Sequence, residues 1–110
     1  MLEYEKELKC INCPIEKTVQ IIGNKWSILL LKELHQNENS MRFNELLKSL
    51  KPISSKTLSA KLKELVNREV VVKKIIPSTP VLIQYSLSEK GKDLEKVLGS
   101  MAEWSIKWHN

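Results

Sequence analysis

Basic side chains are concentrated in residues 48–74 of this 110-residue chain. The segment has eight lysine and arginine residues and two glutamates, a net charge of +6, whereas the whole chain carries +5, so the remainder sums to −1. A positive surplus confined to one structural unit is typical of a surface that binds a polyanion such as nucleic acid. The alternative interpretation is a solvated lysine face, which is the usual outcome for a run of charges.

The part of this segment that begins at Ser54 has the pattern of an amphipathic helix. At 100° per residue, Leu58, Leu62 and Leu65 point to one side, toward a core. The opposite side is small, polar and basic, and it therefore fits the major groove of DNA. Its candidate DNA-contacting residues are Ser54, Ser55, Lys56, Thr57, Ser59, Ala60 and Lys63. Those near the start of the helix are the candidates for base contact, whereas the last of them is expected to meet phosphate.

Three helices are predicted before this one. Pro14 suits the first position of a helix, which runs to Ile22 and is broken by Gly23-Asn24. Residues 25–35 form a second helix that is apolar nearly all round, as expected of a central core helix. A polar loop at 35–40 leads to a short helix at about 44–50, which Lys51-Pro52 ends. With the helix from Ser54 to Asn67, it predicts a helix-turn-helix over residues 44–67.

A β-hairpin is predicted directly after the helix-turn-helix. Residues 70–76 and 81–87 are rich in β-branched side chains and are separated by Pro77-Ser-Thr-Pro80. Such a hairpin is the wing of a winged helix. Lys73 and Lys74 lie on its first strand and could reach the DNA backbone. Its tip carries no positive charge, so the wing is expected mainly to stiffen the module.

Ser88 caps a last helix, at about 89–108, with one continuous apolar stripe along it. The elements together predict one domain over residues 1–110, mainly α with a small β-hairpin (α+β), of winged helix-turn-helix type. Residues 1–12 are expected to form a loosely held arm. The terminal helices offer a candidate dimer surface of Val19, Ile22, Leu98, Met101, Trp104 and Trp108. Packing within one protomer is the alternative.

The two cysteines, Cys10 and Cys13, are three residues apart and allow four interpretations. A zinc site is poorly supported because two further ligands are not close in sequence. A thioredoxin-like active site needs a preceding strand, and none is predicted. Cys13 could be a small buried residue at a helix start. It could also be a redox sensor, with a thiolate stabilised by the helix N-terminus and Cys10 resolving a sulfenate into a disulfide.

Composition excludes several other classes of protein. The chain is 42% hydrophobic and 28% charged, which is ordinary for a globular domain. We expect no membrane span and no signal peptide, hence a cytoplasmic protein with reduced thiols. Neither histidine has an evident catalytic neighbour and no glycine-rich phosphate loop is present, so we predict neither an enzyme nor a bound cofactor or metal.

Three segments of the chain are specific when taken together. They are Gly23-Asn24-Lys25-Trp26, Arg42-Phe43-Asn44-Glu45-Leu46 and Tyr85-Ser86-Leu87-Ser88-Glu89-Lys90-Gly91. Through these segments, and through others between residues 13 and 104 that follow in family order, the chain resembles the HxlR-type winged helix-turn-helix regulators, which are related to the MarR group. Arg42, which opens the second segment, joins the candidate DNA-binding residues.

The resemblance implies a bacterial homodimeric repressor or activator that binds double-stranded DNA at a two-fold-related operator and pairs through its terminal helices. Some members of the family sense oxidants or electrophiles through a thiol at the Cys13 position. One departure concerns the glycine that usually precedes the first wing strand, where this chain has Arg68-Glu69-Val70. Asn67 is predicted to take the left-handed conformation instead.

Two other functions remain open at this point. One is a small thiol-redox protein that uses Cys10 and Cys13, which leaves the basic segment without a role. The other is a winged helix that binds an acidic protein partner and has no specific DNA affinity. The operator, the regulated genes and any small-molecule effector are not indicated by the sequence.

Overall fold

A computed structural model of the chain describes residues 13–38 and 40–109, and the predicted arm at 1–12 lies outside them. The described elements, in chain order, are α1 (Pro14–Ile22), α2 (Lys25–Gln36), β1 (Ser40–Arg42), α3 (Phe43–Ser49), α4 (Ser55–Asn67), β2 (Val71–Ile76), β3 (Leu82–Leu87), α5 (Glu89–Asp93) and α6 (Glu95–His109). The prediction of a mainly helical winged helix-turn-helix is confirmed. Across the described ranges, no helix is long and apolar enough to cross a bilayer.

Helix α2 is the centre of the fold, as its composition predicts. Asn24 caps it, because its side-chain oxygen accepts a hydrogen bond from the backbone N–H of Trp26 at 2.9 Å. Leu30, Leu31 and Leu34 have no exposed surface. They pack with leucines of α3 and α4 and with residues of the sheet. The helix-turn-helix is therefore built directly on α2, and its orientation is set by this core.

The sheet has three antiparallel strands in the order β1-β3-β2. The predicted hairpin forms its β2–β3 part, but the predicted loop at 35–40 is wrong at its end, because a strand begins at Ser40. A three-residue strand is too short to show an alternating pattern in the sequence. Pairing with β3 satisfies its backbone and turns Met41 into the core, where that side chain is buried.

The turn between α4 and β2 is a Schellman motif. The N–H of Val70 donates to Leu65 O at 3.1 Å, and that of Glu69 donates to Val66 O at 3.0 Å. Such a motif requires a left-handed residue at its penultimate position, and Glu69 has φ 64°. The prediction that Asn67 takes this conformation is wrong, because Asn67 still belongs to α4.

Helix α5 is fixed to this turn by Ser88 and Gly91. The Ser88 hydroxyl donates to Glu69 O at 2.6 Å and accepts from the N–H of Gly91 at 3.0 Å. Gly91 lies against the carbonyl of Val70 so closely that a side chain would collide with it. The predicted continuous helix at 89–108 is interrupted at Leu94, because a tight three-residue turn of hydrogen bonds there packs Leu94 against the core.

Candidate nucleic-acid interface

One face of α4 is exposed and polar, and the opposite face is buried. Leu58, Leu62 and Leu65 are at most 1% exposed, so the helix is anchored along its whole length. The exposed residues of the predicted groove-facing side are Ser54, Ser55, Lys56, Ser59, Ala60 and Lys63. Small residues beside lysines let a helix approach base edges closely while its cations meet phosphates.

Two of the predicted contact residues are engaged in capping α4. The Ser54 hydroxyl accepts from the backbone N–H of Thr57 at 3.1 Å and donates to the Thr57 hydroxyl at 3.0 Å. This reciprocal pair fixes the start of the helix. Ser54 and Thr57 are thus positioned to orient the N-terminal turn, whereas the side chains of Ser55 and Lys56 have no hydrogen-bond partner within the described residues.

The sheet aligns two of the predicted cations in one row. Arg42 on β1 is paired with Gln84 on β3, and Gln84 is paired with Lys74 on β2. Side chains at paired positions share a face, so Arg42, Gln84 and Lys74 form a polar row. With strands about 4.8 Å apart, its two ends are roughly 10 Å apart. Gln84 was not among the sequence candidates, since only the register of the sheet shows its place.

Lys73 lies on the other face of the same strand. It is paired with Tyr85, which is buried, and burial raises the pKa of that phenol above 10.0. Lys73 is itself exposed. The sheet therefore does not bring Lys73 and Lys74 together, although they are adjacent in sequence.

The uncharged wing tip is flanked by exposed apolar residues. Ile75 is 60% exposed and Val81 is 59% exposed, on either side of Pro77-Ser-Thr-Pro80. The hydroxyl of Ser78 donates to Pro80 O at 2.6 Å within this turn. Among the predicted wing contacts, the charge thus lies near the middle of β2 and not at the tip.

Cys13 is the N-cap residue of α1 and is only 5% exposed. Its backbone oxygen accepts from the N–H of Lys17 at 3.0 Å, in the first turn of the helix. The thiol is free. Cys10, the predicted resolving residue, lies outside the described residues. Within them, no group of three or more His, Cys, Asp or Glu side chains could hold a metal ion.

The residues of the predicted dimer surface differ in exposure within the protomer. Trp104 and Trp108 are 60% and 64% exposed, and Met101 and Val19 are also exposed. Ile22 is buried in the core of its own protomer and presents little surface to a second copy. Leu98 is half-buried and packs partly against the same core. Ile15 and Ile106 are exposed apolar residues that the prediction omitted.

Comparison with known proteins agrees with this arrangement. Residues 21–110 match the family model described as HxlR-like helix-turn-helix. YvaP, an HTH-type transcriptional regulator of Bacillus subtilis (strain 168), is 41% identical over 97 residues, which cover 87% of this chain and 88% of YvaP.

Two solved structures are similar over most of their length. The reduced form of the transcriptional regulator YodB from B. subtilis has a TM-score of 0.79 and 34% identity, covering 87% of this chain and 93% of YodB. The redox regulator HypR in its reduced form has a TM-score of 0.79 and 31% identity, covering 88% of this chain and 94% of HypR. The chain belongs to the HxlR-like helix-turn-helix family and is a DNA-binding transcriptional regulator, not an enzyme.

Proposed function

We propose that the chain regulates transcription as a homodimer that places α4 of each protomer in one major groove of a two-fold-related operator. The observation that carries this proposal is the exposed face of α4, whose small and basic residues stand opposite three fully buried leucines. Ser55, Lys56, Ser59 and Ala60 face base edges, while Lys63 meets phosphate. A protein-binding winged helix gives no reason for this combination of residues.

The wing contributes a second set of contacts through the row of Arg42, Gln84 and Lys74. Cations spaced along a sheet face suit phosphate contacts, which position the protein without reading sequence. The amide of Gln84 lies between them and can bond phosphate or sugar. Lys73, on the opposite face, contributes to the long-range field more than to direct contact.

Dimerisation is supported by α6, of whose 15 residues none is fully buried in the protomer. A helix of this length is marginal in water unless its apolar face packs against something. Met101, Trp104 and Trp108 share one side of α6 and offer that face to a second copy, and Val19 on α1 is a further exposed apolar residue. A two-fold axis there implies half-sites about 10 bp apart or a modest extension of that spacing.

The experiment that tests regulation is selection of duplexes by the purified protein from a random-sequence library. We expect enrichment of an inverted repeat, because two identical α4 helices related by a two-fold axis read the same sequence on opposite strands. Enrichment of a single unrepeated site would contradict the homodimer. Binding that is equal for all duplexes would contradict sequence-specific regulation.

A thiol response is a second candidate property of the same protein. It is supported by the position of Cys13 as the N-cap residue of α1 and by similarity to the redox regulator HypR. Because Cys13 is buried, oxidation requires opening of the first turn of α1. We expect diamide to change the affinity for the selected duplex and Cys13→Ser to remove that change. An unchanged affinity after diamide treatment would leave Cys13 as a core residue.

A further inference from the structure

A hollow between one side of α2 and the turn that joins α3 to α4 carries positive charge that the proposed contacts do not use. It is lined by Lys25, Lys32 and Lys51, together with Trp26 and one acidic residue, Glu33. The three lysines are here called the second basic patch. They come from two parts of the chain, and only the packing of α2 against the helix-turn-helix brings them together.

The lysines of the second basic patch are placed to meet an anion. Lys25 and Lys32 are seven residues apart on α2, two turns along one side of the helix. The Lys25 ammonium lies 5.0 Å from the centre of the Trp26 ring, which restricts its position. Ion pairs within the described residues involve only other lysines, namely Lys61, Lys92 and Lys96.

The second basic patch is continuous with the helix that enters the groove. Lys51 lies in the turn three residues before Ser54, which caps α4. In helix-turn-helix proteins the elements beside the recognition helix cross the DNA backbone. With the N-terminal part of α4 in the major groove, we therefore expect this turn and the adjoining side of α2 to lie over the sugar–phosphate backbone at the edge of that groove. The charge of the patch is complementary to that backbone.

We propose that the second basic patch binds phosphates of the DNA backbone beside the major groove that α4 occupies. The proposal rests on the proposed function, and it adds contacts that are independent of base sequence. It extends the DNA-binding surface beyond the helix-turn-helix and the wing to α2, the central helix of the core. Through α2, a contact with the backbone fixes the orientation of the whole protomer on the duplex.

Glu33 places a negative charge in the same hollow and therefore allows a test by a substitution of opposite effect. Its carboxylate accepts a hydrogen bond from Asn37 Nδ2 at 3.4 Å, toward the C-terminal end of α2. A carboxylate near bound phosphate is repelled, so Glu33→Gln is expected to raise the affinity for DNA several-fold. If the hollow faces away from DNA, Glu33→Gln would leave the affinity for DNA unchanged.

The test measures affinity over a series of salt concentrations, for the selected duplex and for random-sequence duplex. Each substitution removes one phosphate contact from each protomer, hence two from the bound dimer. Lys25→Gln and Lys51→Gln are therefore each expected to make the plot of log K against log salt less steep by about 1.8, and the double variant by about 3.6, on both kinds of DNA. Lys25→Arg and Lys51→Arg should restore the slope. Lys92→Gln removes the same charge from α5, which lies beside the turn that follows the C-terminal end of α4, and should leave the slope unchanged.

The outcomes separate the two proposals. An inverted repeat selected by the wild-type protein with unchanged slopes in Lys25→Gln and Lys51→Gln would overturn the patch and leave the proposed function standing. A lower slope in these variants, with no sequence preference in the wild-type protein, would support the patch and overturn specific regulation. Equal loss of slope in Lys92→Gln would also overturn the patch, because net charge alone would then explain the effect.

Discussion

At the scale of single residues, Lys56 is the exposed lysine closest to the start of α4. Its side chain is exposed, and it follows closely on Ser54, which caps α4 together with Thr57. If it meets a base edge, Lys56→Ala should weaken binding to the selected duplex by about 1–3 kcal/mol and weaken binding to random duplex much less. Competition binding with the two duplexes measures the difference.

Lys63 is the matched control for that substitution, because it lies on the same face about two turns further along α4. Lys63→Ala should weaken binding to both duplexes equally, as expected of a phosphate contact. Equal losses on both duplexes for Lys56→Ala as well would assign Lys56 to phosphate and leave base reading to the neighbouring serines.

Glu69 offers a test of backbone conformation at a single residue. It occupies the left-handed position of the Schellman motif with φ 64°, where a side chain is unfavourable by about 1 kcal/mol. Glu69→Gly should therefore raise the free energy of unfolding by up to about 1 kcal/mol, after the larger unfolded-state entropy of glycine is allowed for. Urea denaturation followed by circular dichroism measures this change.

The control for Glu69→Gly is a glutamate-to-glycine substitution inside α4, at Glu64. Glu64 is in α4 and its carboxylate lies 3.3 Å from the Lys61 ammonium. Glu64→Gly should lower the free energy of unfolding by about 1 kcal/mol, because glycine is a poor helix former. Destabilisation by both substitutions would mean that Glu69 makes interactions in the turn that outweigh its backbone strain.

At the scale of elements, the order of helices and strands follows from local signals. The cap at Ser54, the leucine stripe of α4 and the β-branched runs of the wing each depend on residues close in sequence, and each has the predicted structure. Strand β1 was missed because its three residues gain their stability from β3, which is more than 40 residues away. The break at Leu94 was missed because a core contact causes it, not a helix-breaking residue.

The site was less predictable than the fold for the same physical reason. The exposed residues of α4 follow from helical periodicity alone. The row of Arg42, Gln84 and Lys74 depends on the register of three strands, which no local pattern specifies. Ile22 was assigned to a dimer surface because its helical spacing matches that of Val19, but the packing of α1 on the core turns only Ile22 inward.

The same row gives a prediction for the wing. Lys74→Ala should make the plot of log K against log salt less steep by about 1.8, which is about 0.9 for each protomer of the dimer, because Lys74 shares the exposed sheet face with Arg42. Lys73→Ala removes an identical charge one residue away, on the face of buried Tyr85, and should change the slope much less. Equal effects of the two substitutions would show that the wing acts through its overall charge and not through one face.

At the scale of the whole molecule, regulation at a two-fold operator requires that two copies hold their α4 helices at a fixed separation. The exposed tryptophans of α6 are the strongest candidates to fix it, because large aromatic side chains dominate the energetics of interfaces. The strength of this dimer interface also affects the affinity for DNA. Once one protomer of a dimer is bound, the second binds at a high effective concentration, so a weaker dimer is also a weaker DNA-binding protein.

Trp104→Ala should therefore separate the protomers. A central aromatic residue contributes about 2 kcal/mol or more to an interface, and the substitution removes one from each protomer. We therefore expect the dissociation constant of the dimer to rise roughly 1000-fold, as measured by analytical ultracentrifugation. Ile106→Ala is the control, because Ile106 is equally exposed but lies on the opposite side of α6. If Ile106→Ala dissociates the dimer and Trp104→Ala does not, the two-fold axis lies on the other side of α6. The separation of the α4 helices, and with it the expected operator spacing, would then be different.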